Sequence, residues 1–350
     1  MYTSGTTGNP KGAMLTHTNM YTAGIDLAIG LHYQYPDRCL LLAPFFHSGA
    51  ITPFLGHVLR GISTVIVASF EPPEVLKLIE EYQIRLMLGV TAMLKMLLQV
   101  PDIDSRSLDS WKLAILPGSP VPYPVIKEAY ERLGVLCQNL WGLTEMCGPG
   151  SFMNEEDILQ KPESAGKPYF NVDIRIVGPE GEDLPAGQIG EIIARGPNMM
   201  LGYWNQAEAT RETIKDGWLY TGDLGKFDED GYLYVVDRLK DMILSGGENV
   251  YPAEIEKVVR QLPGVLDVSV IGVPDEKWGE VPKAFIERRE DTPLTSDDII
   301  RHCRSKLAGY KVPKLVAFVK ALPRTPSGKV LKRDLRNLTS TVVPTTSGPA

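Results

Sequence analysis

The 350-residue chain is 43% hydrophobic and 23% charged, a balance of soluble globular proteins that excludes a disordered or fibrous polymer and, at this length, predicts two or three folded units. Its formal net charge of −7 leaves no basic footprint for DNA or RNA, so no nucleic acid partner is expected. Four dispersed cysteines, Cys39, Cys137, Cys147 and Cys303, form no Cys-x-x-Cys pair, which argues against a zinc ribbon and fits a reducing, cytoplasmic setting.

The N-terminus has no basic start followed by an apolar stretch, so no secretory leader is expected. Asn19 is placed to cap a helix through about Leu31, and residues 39–44 read as a buried strand. The charge-free run 39–59 is interrupted by Pro44, His47, Ser48, Pro53 and His57 and reads as core and pocket, not as a transmembrane segment. Strands at 62–67, 113–116 and 135–140 alternate with helices at 72–82 and 121–133, the pattern of a parallel sheet. Between residues 166 and 237 the signal changes to short strands, such as 172–177 and 191–195, separated by glycine-bearing turns. Beyond Lys240 come a helix near 253–262, strands at 265–273 and 281–286, a helix at 296–307 and a strand at 315–319. Residues 339–350 lack periodicity and are expected to be a flexible tail. The predicted class is therefore α/β: a parallel-sheet part at 1–160, a small antiparallel β-barrel-like part at 161–237, and, after a hinge, a C-terminal α+β domain at 238–338.

Thr3-Ser4-Gly5-Thr6-Thr7-Gly8-Asn9-Pro10-Lys11-Gly12 joins hydroxyls, three glycines and a lysine, a composition that can wrap backbone N–H groups and a cation around phosphate oxygens. It is not a Walker A loop. Pro10 stands where the second glycine belongs, and Gly12 where Ser or Thr would bind magnesium. On composition alone, a flexible surface loop is an equal reading.

Further segments follow in order: Pro44-Phe45-Phe46-His47-Ser48-Gly49, Gly118-Ser119-Pro120, Trp141-Gly142-Leu143-Thr144-Glu145, Tyr220-Thr221-Gly222-Asp223, Asp237-Arg238-Leu239-Lys240-Asp241, Ser245-Gly246-Gly247-Glu248-Asn249 and Pro323-Arg324-Thr325-Pro326-Ser327-Gly328-Lys329. Together with the opening loop they resemble, over nearly the whole chain, the adenylate-forming superfamily of acyl-CoA synthetases, luciferases and peptide-synthetase adenylation domains. The closest form is similar to the fatty acyl-CoA ligases.

The resemblance implies a reaction and a set of roles. A carboxylic acid and ATP give acyl-AMP and pyrophosphate, and a coenzyme A thiolate then displaces AMP. The loop from Thr3 to Lys11 would hold the phosphates, and Thr144 and Glu145 would be catalytic, with Glu145, a hard oxygen ligand, holding Mg²⁺. Gly118, Ser119, Pro120, Trp141 and Gly142 would surround the adenine, with the indole stacked on it. Asp223 would accept from the ribose hydroxyls and Arg238 donate to ribose or phosphate. His47 would gate the acyl pocket, Lys240 would be the hinge, and Gly246 and Gly247 would line the coenzyme A tunnel. Lys329 would meet carboxylate and α-phosphate together. Taken singly, these residues read as turns, a helix-cap glutamate, a core tryptophan, a satisfied core histidine and exposed basic side chains.

Because Lys329 lies in the small C-terminal part, the resemblance implies that it must close on the larger part, and that a rotation then exposes the Ser245–Asn249 face for thioester formation. In the family about 150 residues, one domain's worth, precede the phosphate loop, so this chain reads as the C-terminal portion of a longer enzyme, with activity in isolation open. Apolar surface bared at that contact is expected to favour association, and a peripheral membrane contact or an oligomer stays open. Two competing readings remain: transfer of the acyl group to a carrier protein, and a non-catalytic nucleotide- or partner-binding fragment. A luciferase-like oxidation is a lesser possibility.

Overall fold

The computed structural model describes residues 1–3, 10–118, 121–289, 291–325 and 329–340. These divide into two compact units, the first made of residues 1–3, 10–221 and 225–235, the second of 222–224 and the described residues from 236 onward.

The first unit is built on a five-stranded parallel sheet of β1 (Arg38–Leu41), β2 (Ser63–Ile66), β3 (Leu86–Leu88), β4 (Leu113–Ile115) and β5 (Leu136–Gln138), in the order β2-β1-β3-β4-β5. Successive strand residues enter different cores. Cys39, Leu41, Leu86, Leu88, Leu113 and Ile115 join one buried cluster, whereas Leu40, Met87 and Ala114 join the other. A strand points its side chains alternately to opposite faces, so covering both faces demands an unbroken apolar run. The covering helices are α1 (His17–Gly30), α2 (Ser48–Arg60), α3 (Pro72–Tyr82), α4 (Thr91–Leu98) and α5 (Tyr123–Leu133).

The observed elements differ from the sequence reading in places. Helix α1 is capped by Thr16, not Asn19: Thr16 Oγ1 accepts the Asn19 N–H at 3.1 Å and Asn19 Oδ1 accepts the Thr16 N–H at 2.8 Å, a reciprocal capping box. Helix α2 occupies much of the run read only as core and pocket, because it tolerates Pro53 within it. Strand β3 and helix α4 are additional, both too short for a clear periodic signal.

An antiparallel sheet follows, of β6 (Asp173–Val177), β7 (Gly190–Arg195), β8 (Ile214–Lys215), β9 (Trp218–Phe227) and β10 (Leu233–Arg238), ordered β6-β7-β9-β8 with β10 paired to β9. A short helix, α6 (Ala207–Thr213), precedes β8. The division between the units falls within β9 and β10.

The second unit's sheet contains β11 (Ile243–Ser245), β12 (Glu248–Val250), β13 (Val265–Asp275), β14 (Gly279–Arg288) and β15 (Leu315–Val319), ordered β12-β11-β14-β13, with β15 parallel to β14. Helices α7 (Pro252–Val259) and α8 (Ser296–Arg304) bury Ile255, Val259 and Ile299 against Val270 and Ile286. Helix α9 (Lys332–Ser340) seats Leu335 in a second cluster with Ile271, Val281, Phe285 and Leu322. This helix runs two residues into the segment expected to be tail; residues 341–350 lie outside the described residues. Among the described residues no helix is long and apolar enough to cross a membrane.

Candidate active site

Residues 1–3 and 11–13 form the stem of a hairpin: Thr3 N–H donates to Lys11 O at 2.9 Å, Ala13 N–H to Met1 O at 2.8 Å, and Tyr2 bridges Gly12. Its tip, with Ser4, Gly5, Thr6, Thr7 and Gly8, lies outside the described residues. The strand leaving the hairpin, Ala13–Met14, pairs antiparallel with Gly202–Tyr203, setting Ala13 opposite Tyr203. This register lays the Tyr203 ring 4.9 Å from Lys11 Nζ. The Tyr203 hydroxyl donates to Glu145 Oε1 at 2.7 Å. Burial first, and then the Glu145 charge, push the Tyr203 phenol well above its ordinary pKa, so it remains a donor. Lys11 and Glu145 are thus joined through a residue that sequence reasoning missed. A lone Gly-Tyr pair carries no motif, and its one cue would have been the β-register that brings it beside Lys11.

Glu145 sits on a single 3-10 turn, Thr144–Met146. Buried Asn198 holds the C-terminal end of that turn and the chain just beyond it, its amide donating to Met146 O at 3.1 Å and Pro149 O at 2.8 Å, while Thr52 Oγ1 donates to Cys147 O at 2.5 Å. The Tyr203 bond uses one carboxylate oxygen and leaves Oε2 for a hard cation. Among the described residues no three His, Cys, Asp or Glu side chains gather into a metal cage. A single held carboxylate therefore fits Mg²⁺ of the kind completed by phosphate oxygens and water.

Gly142 is required by packing: a Cβ there would come 1.5 Å from the Gly148 carbonyl oxygen across the hairpin of Gly142–Leu143 with Gly148–Pro149. Trp141 is 6% exposed and belongs to the first unit's core, with its ring so close over Gly150 that a Cβ on that glycine would lie 2.5 Å away. Gly118 has φ +98°, open to glycine at little cost; Ser119 and Pro120 lie outside the described residues. His47 caps α2, its Nδ1 accepting the Gly49 N–H at 2.9 Å, so a neutral ring carries its proton on Nε2. Next to it Phe45 meets Phe54 edge to face at 5.3 Å.

In the second unit Asp223, 5% exposed, is paired with Arg238, Nε to Oδ1 at 2.7 Å. Lys240 lies on the 3-10 turn Leu239–Asp241. Burial lowers its pKa, with Arg238 and Arg336 adding to the effect and Asp241 and Asp223 opposing it. Gly246 and Gly247 close the two-residue hairpin between β11 and β12 with φ +61° and +89°, the positive pair that a type I′ turn requires. Gly246 N–H donates to Trp278 O at 2.8 Å. Lys329 is exposed at the foot of its loop, not at the tip: its N–H donates to Thr325 Oγ1 at 3.1 Å, and its carbonyl accepts the Thr325 N–H at 2.8 Å. The tip, 326–328, lies outside the described residues.

Residues 1–204 match the family model of the AMP-binding enzyme, and residues 254–329 match that of the AMP-binding enzyme C-terminal domain. The chain belongs to the AMP-binding enzyme family. Among curated members it is 42% identical over 337 residues to a feruloyl-CoA synthase of Amycolatopsis sp, covering 96% of this chain and 68% of that protein. It is 41% identical over 344 residues to the long-chain-fatty-acid–CoA ligase FadD13 of Mycobacterium tuberculosis, covering 98% and 68%. Among solved members, o-succinylbenzoate CoA synthetase (MenE) from Bacillus subtilis, in complex with its acyl-adenylate intermediate, superposes with a TM-score of 0.89 at 36% identity, over 96% of this chain and 68% of that one. The same enzyme has been solved with ATP and a magnesium ion.

Proposed function

We propose that this AMP-binding enzyme activates a carboxylic acid with ATP to the acyl-adenylate and passes the acyl group to coenzyme A. The observation that carries the reading is the Lys11–Tyr203–Glu145 array, a cation and a metal-competent carboxylate held together beside the stem of the phosphate loop. In the first step a carboxylate oxygen bonds to the α-phosphorus, the bond to the β-phosphate oxygen breaks, and pyrophosphate leaves with the electron pair. In the second step the thiol loses its proton, sulfur bonds to the acyl carbon, and AMP leaves.

Lys11 offers a positive charge to the phosphates, Glu145 would hold the Mg²⁺ that neutralises them, and Lys329 offsets charge where carboxylate meets phosphorus. Asp223 accepts from the ribose hydroxyls, with Arg238 keeping its carboxylate oriented until the sugar arrives. His47 and its aromatic neighbours border the acyl pocket, and the close glycines Gly246 and Gly247 leave room for the pantetheine arm. Trp141 serves the adenine by its edge or by walling the site, since its ring is packed in the core. The relatives are named for acids as unlike as ferulate, a long-chain fatty acid and o-succinylbenzoate. The reading therefore commits to a carboxylic acid and leaves the chain type to the assay.

Pyrophosphate release measured over a panel of aliphatic and aromatic acids, with acyl-CoA followed separately, tests this. Release should depend on one class of acid, and Lys329→Ala should slow it by about 10²-fold or more. Equal release by the variant would remove Lys329 from the mechanism.

A further inference from the structure

Helix α9 starts three residues after Lys329 and carries two cations on one face. Lys332 and Arg336 are four residues apart, hence neighbours on the helix surface, flanking the buried anchor Leu335. Lys332 Nζ lies 3.3 Å from Glu256 Oε1, and Arg336 donates to Asp241 Oδ1 at 2.8 Å. Of these two acceptors Glu256 is itself fixed, its Oε1 also accepting the Val270 N–H at 2.8 Å. Asp237 accepts the Ala253 N–H at 2.8 Å and the Arg238 N–H at 2.7 Å. Burial alone would depress the Lys332 pKa, but Glu256, Asp237 and Asp241 outweigh it and hold the ammonium above its usual value.

Asp237 and Asp241 are also four residues apart and bracket Lys240. Two basic side chains spaced by one helical turn therefore tie α9 at two points, Lys332 to Glu256 on α7 and Arg336 to Asp241 beside Lys240. Ion pairs add little net stability over apolar packing when buried and less when one partner is half-exposed, as Arg336 is, and their best-attested return is geometric specificity. Leu335 already supplies the apolar anchor of α9, so the charged pairs are the groups that select what the helix is tied to.

We propose that Lys332 and Arg336 are positioning residues that tie the helix following Lys329 to Glu256 of α7 and to Asp241 beside Lys240, respectively, holding Lys329 at a fixed reach from Lys240. The proposal rests on the roles assigned above to Lys329 and Lys240. A swinging lysine is productive only if its distance from the pivot is constant, and misplacement by about 1 Å can cost on the order of 10²-fold in rate.

Arg336, at the rim of the network, is the residue to vary, with Asp241→Asn as its partner variant. Arg336→Gln and Asp241→Asn should each lower kcat of acid-dependent pyrophosphate release about tenfold, with KM for ATP and acid changed less than about twofold. Thioester formation from supplied acyl-adenylate should stay within about twofold, and Arg336→Lys, which keeps the charge, should restore adenylation to within about threefold. Loss of both half-reactions together in step with the melting temperature, or no recovery with Arg336→Lys, would overturn the clamp in favour of simple stabilisation. Amide hydrogen exchange reads the clamp without activity: Arg336→Gln should speed exchange over residues 329–338, and unchanged exchange there would also overturn it. An unaltered chain that released no pyrophosphate would instead sink the proposed function, leaving the exchange result to judge the clamp.

Discussion

Tyr203 shows how one neutral side chain can organise two charged ones. Its hydroxyl fixes a Glu145 oxygen at 2.7 Å while its ring face meets Lys11. A hydrogen bond to a charged group contributes about 1.5–3 kcal/mol. Tyr203→Phe is therefore expected to raise the Mg²⁺ concentration for half-maximal pyrophosphate release about tenfold, while keeping the cation–ring contact; an unchanged Mg²⁺ requirement would separate Tyr203 from the metal carboxylate. Asp26 presents the opposite case, a buried carboxyl that no assigned role uses. Its Oδ1 accepts from Asn171 at 2.9 Å, Oδ2 has no hydrogen-bond partner among the described residues, and burial pushes its pKa up to about 6, with the Asn171 bond opposing. A carboxyl whose folded pKa lies above its unfolded value stabilises the fold below the unfolded pKa, and that contribution is lost as pH rises through the folded one. Asp26→Asn should thus gain on the order of 2 kcal/mol at pH 8 and little near pH 4; melting curves at the two pH values check it, and an equal gain at both would refute the burial argument. The ionisable candidates were legible because their chemistry shows in residue type. Tyr203, Asp26, Lys332 and Arg336 were not, because their significance comes from partners distant in the chain.

At the scale of elements, the glycines separate into positions demanded by contact and positions demanded only by φ. A Cβ on Gly246 would meet the Trp278 ring at 2.7 Å, whereas one on Gly247 would meet open space, although both residues have positive φ. Gly247→Ala should cost about 1 kcal/mol from backbone strain alone and Gly246→Ala about 2 or more. Thermal melts of the two variants should rank in that order, and the reverse order would contradict the hairpin packing. The buried strands and the amphipathic helices α3 and α5 could be read from the chain because their periodicities are unmixed. Helix α2 could not: Pro53 speaks against a helix locally, and the packing of Ala50, Thr52 and His57 into the interior overrides it. The start of α1 was misplaced by three residues because Thr16 and Asn19 are both good caps, and only the reciprocal pair of hydrogen bonds decides between them.

For the molecule as a whole, alternation of apolar strands and helices was enough to announce the α/β class, since a parallel sheet needs cover on both faces. The hinge expected at 237/238 rests on the resemblance and not on any linker composition, and the division between the two units falls within β9 and β10. The central claim is that the acid is activated by bonding its own carboxylate oxygen to the α-phosphorus, and isotope transfer tests it directly. With an acid labelled by ¹⁸O in the carboxylate, ATP and coenzyme A, the account predicts that the released AMP carries one ¹⁸O atom for each thioester formed. Label in orthophosphate, or AMP free of ¹⁸O while thioester accumulates, would contradict it.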